Sequence, residues 1–324
     1  MRSVFIALAA LTIAVPARAG DFDKYLAEDT QFYFHMSMPK FFSSELVRTA
    51  VPMALDKYGD SIVGLLGMAK QFNPQAPDIP EDQAKQMIKQ ISDPKMIAQA
   101  FDVAKEFVTD LVVAGKADGA MPEFAIIVKS PVFTAEGAAM IADLVAGQPQ
   151  VQLDKIKKDK GTIYAMTPAN QPMKMFITVP AEGVLHICMS EKQAEDSFAP
   201  KGKPSDKLNQ LIGKRAATDF IFVAGLGTDD SDYTSMAGSL VLDKDLSGKM
   251  TMTYKDEAKA AEQAKEANEK LVEMLDQLKD FLGDKATTLK PHLEKSKAVV
   301  DGKTVTSSMS IPGAAVQKML TKDS

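Results

Sequence analysis

The segment Asp243-Lys244-Asp245-Leu246-Ser247-Gly248 places oxygen donors at alternate positions and a glycine at the sixth, as the first half of a calcium loop does. The full loop also needs a glutamate at position twelve, where this chain has Tyr254. Asp229, Asp230 and Asp232 could add oxygens. The flanks read as strands rather than helices, so a polar hairpin turn accounts for the segment and no metal is expected. Ser-x-x-Lys occurs twice, at Ser37 to Lys40 and Ser92 to Lys95. That spacing lets a lysine one turn on activate a serine at a helix start, as in penicillin-recognising enzymes. Their Ser-Asp-Asn and Lys-Thr-Gly elements are missing, and both serines precede a proline-bearing helix start, where capping is the simpler role.

His35-Met36-Ser37-Met38 and His186-Ile187-Cys188-Met189 gather soft ligands suited to Cu(I). On a strand, however, Met36 and Met38 point away from His35, and His186 with Cys188 points away from Met189. Each face then offers at most two ligands, and core packing is the expected role. Three histidines leave little room for a His-based triad or a zinc site. No Gly-x-Ser-x-Gly occurs, and Gly225-Leu226-Gly227 lacks the third glycine and following helix of a dinucleotide site. No cofactor is expected. A hydrolase built on two carboxylates is defined by separation in space, so that class stays open, with its site between two halves of the chain.

The elements that must position these groups begin with an address. Arg2, an uncharged apolar stretch over residues 4–15 and Ala17-Arg18-Ala19 read as a cleavable secretory signal over 1–19, with the mature chain starting at Gly20. The stretch is shorter than the roughly 20 residues a spanning helix needs, and no later apolar run is longer. A periplasmic or extracellular location is expected, with no transmembrane segment in the mature chain. The 324-residue chain carries 38 basic and 43 acidic residues of interspersed sign, which argues against a nucleic-acid partner. Its one cysteine, Cys188, excludes an internal disulfide and sits in a strand-like run, so burial is expected. Nineteen methionines and no tryptophan suggest a core, or a binding surface, that adapts to varied apolar shapes.

A strand is predicted at residues 30–36, then helices across 39–72, a linker with Pro74, Pro77 and Pro80, and helices to about Val108, with Ser92 as an N-cap. Strand pairs follow at 111–129, 151–166 and 173–189, with a short helix at 134–146 between the first two. Ser190-Glu191-Lys192-Gln193 matches a capping box, and a short helix is predicted at 205–211. Later come a strand at 218–223, a pair at 239–254 and an amphipathic helix at 256–282. That helix carries Ala258, Ala261, Ala264 and Ala267, then Leu271, Met274, Leu275, Leu278 and Leu282. A hairpin around Asp301-Gly302 and a final helix close the chain.

Residues 30–34 (TQFYF) are similar to 218–222 (TDFIF), and each is followed by hairpin, helix and hairpin. The chain is therefore read as α+β, in two similar halves of β-ββ-α-ββ order. Each half is an antiparallel sheet with a covering helix. The first half covers 20–215, with a helical insertion at about 39–109, and the second covers 216–324.

The opening Leu26-Ala27-Glu28-Asp29-Thr30-Gln31-Phe32-Tyr33-Phe34, the later Ser239-Leu240-Val241-Leu242-Asp243, the helix start Asp256-Glu257-Ala258-Lys259-Ala260 and the Asp301-Gly302 hairpin resemble exported proteins of planctomycete-type and related bacteria. The resemblance spans most of the mature chain as hydrophobic pattern and implies no activity.

The insertion is rich in Phe, Leu, Met and Gly and lies outside the duplicated core, so its apolar face must be buried on the core or on a ligand. The expected function is a non-enzymatic envelope protein binding an apolar ligand (lipid or lipopeptide) or an envelope protein. Phe41, Phe42, Leu46, Leu65, Leu66 and Met68 are the candidate contacts. The carboxylate hydrolase and a purely structural or scaffolding role are the alternatives.

Overall fold

The computed structural model describes residues 22–72, 80–107, 109–116, 123–146, 151–169, 174–282 and 286–321, so the signal-type segment lies outside the described residues. A single 3-10 turn, Asp23–Tyr25, precedes β1 (Phe32–Ser37). The insertion follows as α1 (Met38–Ser43), α2 (Glu45–Phe72), α3 (Glu81–Ile91) and α4 (Pro94–Phe107). Next come β2 (Asp110–Lys116), β3 (Glu123–Lys129) and α5 (Ala135–Ala146). A meander of β4 (Val151–Lys158), β5 (Gly161–Pro168), β6 (Met175–Ala181) and β7 (Val184–Cys188) then leads to α6 (Glu191–Ser197) and α7 (Asp206–Ile212). The second half runs β8 (Ile221–Leu226), β9 (Tyr233–Leu242), β10 (Leu246–Tyr254), α8 (Glu257–Leu282), α9 (Ala286–Leu293), β11 (Val299–Asp301), β12 (Thr304–Ile311) and α10 (Gly313–Leu320).

Local chemistry explains the boundaries. Ser190 and Ser205 accept the amides of Gln193 and Leu208 at 3.2 and 3.3 Å and start α6 and α7. The β11–β12 turn places Gly302 at φ 54°, a region open to glycine without a Cβ penalty. Ser92 does not cap α4 as expected. It ends α3, its hydroxyl donating to the Lys89 carbonyl, and Asp93 takes the cap by accepting the Lys95 amide at 2.8 Å. Two stretches escaped the sequence reading. β9 starts at Tyr233 rather than 239, and α9, which carries Pro291 inside it, was not expected.

The fold is α+β, as expected, but the described strands of both halves join in one twelve-stranded antiparallel sheet, ordered β11-β12-β10-β9-β8-β1-β2-β3-β7-β6-β5-β4. The two opening strands pair with each other at its centre, Phe34 opposite Val223 and His35 opposite Phe222. Similar strands pairing antiparallel generate a local two-fold relation between the halves. β7 sits beside β3 as β12 sits beside β10. The counterpart of the closing hairpin is therefore β6–β7, and the 151–166 pair, matched to it in the sequence, is an extra two strands at the edge. β4 (VQLDKIKK) places lysines on that edge, which disfavours pairing with another chain.

The sheet has two differently covered faces. On one lie Ala165, Phe176, Cys188, Ala125, Ala114, Tyr33 and Ala224, register partners in sequence and all buried. α6, α7 and Phe22 with Leu26 pack over them. The row continues into Ala237, Thr251 and Thr306, a hydroxyl-bearing surface no longer buried. On the opposite face α5 packs on Tyr164 and Ile177, and α8 packs on Tyr254 and Val305. Alternation along each strand decides which side chains meet which layer.

Candidate functional site

Phe41, Phe42 and Phe101 of the insertion turn their rings on the chain itself. Phe41 meets Phe42 at a ring-centroid distance of 5.5 Å and Phe220 at 5.4 Å, and Phe42 meets Phe101 of α4 at 5.3 Å. Both rings are half-buried. Leu46 is 5% exposed, and the Cβ position of Gly313 at the start of α10 lies 3.4 Å from its Cδ1. Arg48 locks the bundle, donating to the Phe42 carbonyl at 2.7 Å and pairing with Asp102 at 2.6 Å. Leu65, Leu66 and Met68 lie on α2, with their side chains outside the described residues. Of the six expected contacts, the structure thus brings Phe41 and Phe42 together in a half-buried aromatic cluster and seats Leu46 at a separate junction.

An open apolar groove lies elsewhere, under the C-terminal half of α8. The alanines of α8 explain where it opens. Ala260 and Ala264 are buried, letting the helix approach β10 and β12 closely. Over the next three turns Ala267 and Met274 are exposed and Leu271 is half-buried, although the helical face is the same. The groove, about 570 Å³, runs between these residues and the sheet. Its floor crosses four strands, from Met309 on β12 through Met250, Gly238 and Leu240 to Ile221 and Val223 on β8, and Leu293 and Ala298 also line it. Its volume falls within the roughly 300–1,000 Å³ of small-molecule sites. Met250, Met274 and Met309 add flexible thioethers that fit irregular apolar shapes.

The floor continues past the groove. In register from β9 to β7, the same face carries Gly238, Val223, Phe34, Val113, Ile126 and Ile187. The five after Gly238 are only partly buried, whereas their strand neighbours on the other face, among them Tyr33, Val112 and Ile127, are buried. An apolar band therefore crosses the centre of the sheet between the regions held by α5 and α8. The sequence singled out none of these residues as a surface; the signal for them was the apolar character of both strand faces in β1, β2 and β3.

The residues singled out for chemistry take structural roles. The Asp243 carbonyl accepts the Leu46 amide at 2.8 Å and the Ser44 hydroxyl at 2.9 Å, while the Asp245 carboxylate accepts the Gly313 amide at 2.8 Å. The calcium-like turn thus anchors the starts of α2 and α10, where negative charge suits a helix N-terminus. Among the described residues no cluster of three or more His, Cys, Asp or Glu could hold a metal. Cys188 is fully buried, and burial pushes its thiol up to about 12, so it is inert. Ser37 is buried at the start of α1 with no side-chain cap bond, so the capping expected of it is not made. His35 bonds Asp110 at 2.9 Å beneath Phe22. Asp23 is raised by burial, but the charge beside it is the Arg215 guanidinium, which opposes the rise. That is a cation–acid arrangement, not the paired carboxyls of a two-acid hydrolase.

No protein-family model matches the chain, and no curated protein matches its sequence. Among solved structures it is similar to the spirochete protein TP0453. Crystal form IV of that protein aligns over 93% of this chain and 96% of the other, with a TM-score of 0.41 and 9% identity. Crystal form I gives 92% and 95%, a TM-score of 0.41 and 8% identity. Among the described residues no helix is long and apolar enough to cross a membrane.

Proposed function

We propose that this chain is an exported envelope protein that binds an apolar ligand, an acyl chain of a lipid or lipopeptide, in the groove under α8 and along the central apolar band. One observation carries the reading: a groove of about 570 Å³ lined mostly by aliphatic and thioether groups, opening onto partly buried Val223 at the sheet centre. Covering such surface is favourable by about 25 cal/mol per Å² removed from water. The lining supports a flexible apolar chain rather than a protein segment, because its charged groups are Lys249 and Lys270 alone and its other polar side chains are three serines, too few to match a peptide backbone. The signal-type N-terminus supports delivery to the periplasm or beyond.

A dansyl-labelled fatty acid tests the reading by its gain in fluorescence on the mature protein. Ala267→Trp adds bulk at an exposed helical position in the groove wall and should weaken probe binding at least about tenfold with the fold intact. Native mass spectrometry of protein taken from its own envelope should show a co-purified lipid mass. A clean apo mass together with no probe binding would remove the proposal. Probe binding that ignores Ala267→Trp but disappears in a Phe41→Ser/Phe42→Ser double variant would move the site to the helical insertion.

A further inference from the structure

The floor of the groove under α8 contains two glycines, Gly238 on β9 and Gly248 on β10. Glycine inside a strand lowers stability, so it calls for a local reason. Backbone conformation is not that reason, since neither residue has a positive φ. A bulge is not the reason either, because the β9–β10 register runs unbroken from Leu246 to Thr253. What remains is a close approach to the floor from above. A Cβ on Gly238 would lie 2.8 Å from the Met250 Sδ and 3.2 Å from its Cε, and a Cβ on Gly248 would lie 3.2 Å from the Leu240 Cδ1. Each glycine is a notch that receives a neighbour's side chain, and the one at Gly238 receives a flexible thioether.

The Gly238 notch stands on a continuous row of the sheet. Met250 faces Gly238 across one strand pair, Gly238 faces Val223 across the next, and the row continues over the central band to Ile187 on β7. Its other end is Ser307 on β12, whose hydroxyl donates to the Ser296 carbonyl at 3.1 Å. Ser296 and Ser307 both line the groove, so the β12 end suits a polar head group and the Val223 end an apolar tail. With strands about 4.8 Å apart, Gly238 lies roughly 10 Å from Ser307, Val223 roughly 14 Å and Ile187 roughly 34 Å. An extended hydrocarbon advances about 1.25 Å per carbon, from C–C bonds of about 1.5 Å at tetrahedral angles. About 8 carbons therefore reach the notch and about 12 reach Val223.

Resting on the acyl-chain reading above, we propose that the groove selects long straight chains, of about 12 carbons or more, and that Gly238 and Met250 are the residues that set this length. The notch stows the Met250 thioether in the floor, so that the tail passes over it to Val223 and the central band. A side chain at position 238 would lift Met250 into that path and stop the tail over β10.

The test is calorimetric titration of the mature chain with straight-chain fatty acids of 8, 12 and 16 carbons, below their micelle concentrations. The 16-carbon acid should bind at least about a hundredfold more tightly than the 8-carbon acid, since burying each CH₂ is worth roughly fourfold. Gly238→Ala should keep the 8-carbon acid within about threefold and weaken the 16-carbon acid at least about tenfold. The added methyl meets the end of a flexible side chain, so the fold should survive. Removing that side chain as well, in Gly238→Ala/Met250→Ala, should restore long-chain binding. In the unaltered protein the Met250 methyl signal in a ¹³C NMR spectrum should shift with the 16-carbon acid, a readout that needs no variant. Binding of none of the three acids would remove the acyl reading and this inference with it. Binding with the same length dependence in Gly238→Ala would overturn this inference alone. So would a double variant that does not regain the long chain, or a bound 16-carbon acid that leaves the Met250 methyl unmoved.

Discussion

The aromatic cluster at the start of the helical insertion and the groove under α8 are both apolar, yet the first fills its own space and the second leaves it open. In the insertion large rings face one another, and Phe41, Phe42, Phe101 and Phe220 fill the space they create. Under α8 the helix is held near the sheet by Ala260 and Ala264, then carries Ala267 over a floor that contains Gly238. Small residues on both walls leave room that no side chain takes up. The difference teaches that apolar content does not mark a binding surface; the mismatch between helix spacing and side-chain volume does.

The comparison breaks most visibly at Leu46. Leu46→Ala should cost about 2–5 kcal/mol, because it empties a packed junction between α2 and α10. Urea unfolding measures this, and a loss under about 1 kcal/mol would mean the junction is loose. The Phe41→Ser/Phe42→Ser double variant should cost less, about 2–3 kcal/mol, since both rings are half-buried. It should leave the acyl probe bound, because the cluster lies outside the groove.

Acid should separate the two faces of the sheet. Burial lowers His186 to about 4, below the ordinary 6.5, so the unfolded chain takes up its proton first. Stability linked to this group is complete above pH 6.5 and is lost as pH falls through that window toward 4, by ~2 kcal/mol or more. His186→Leu should flatten this part of the stability profile, and an unchanged profile would show that the imidazole is not the group responsible. Probe affinity per folded molecule should stay constant over the same range, since the groove lining carries no carboxylate or histidine. The smallest effect on stability belongs to Ala267→Trp, expected within about 1 kcal/mol from helix propensity. It should nonetheless abolish most acyl binding, and calorimetric unfolding beside probe titration checks both.

Much of the local structure was legible. The Ser190 N-cap (without the reciprocal Gln193 side-chain bond of a full capping box), the Asp301-Gly302 turn, the long α8 with its small-then-large apolar face and the alternation that buries His35 and Cys188 all depend on neighbours within a few residues. α9 was not legible, because Pro291 argues against a helix that packing of Leu289 and Leu293 holds in place. The partners of the candidate contacts Phe41 and Leu46, namely Phe220 and the Gly313 region, were not legible, because they lie far along the chain.

By itself the sequence determined the α+β class and the place of most strands and helices, since periodicity and turn chemistry are written in short windows. Only the tertiary structure decided that β1 and β8 pair to fuse both halves into one sheet, which apolar residues are covered, and where space is left. Those outcomes are set by volumes and distances between residues remote in the chain, and no local pattern encodes them.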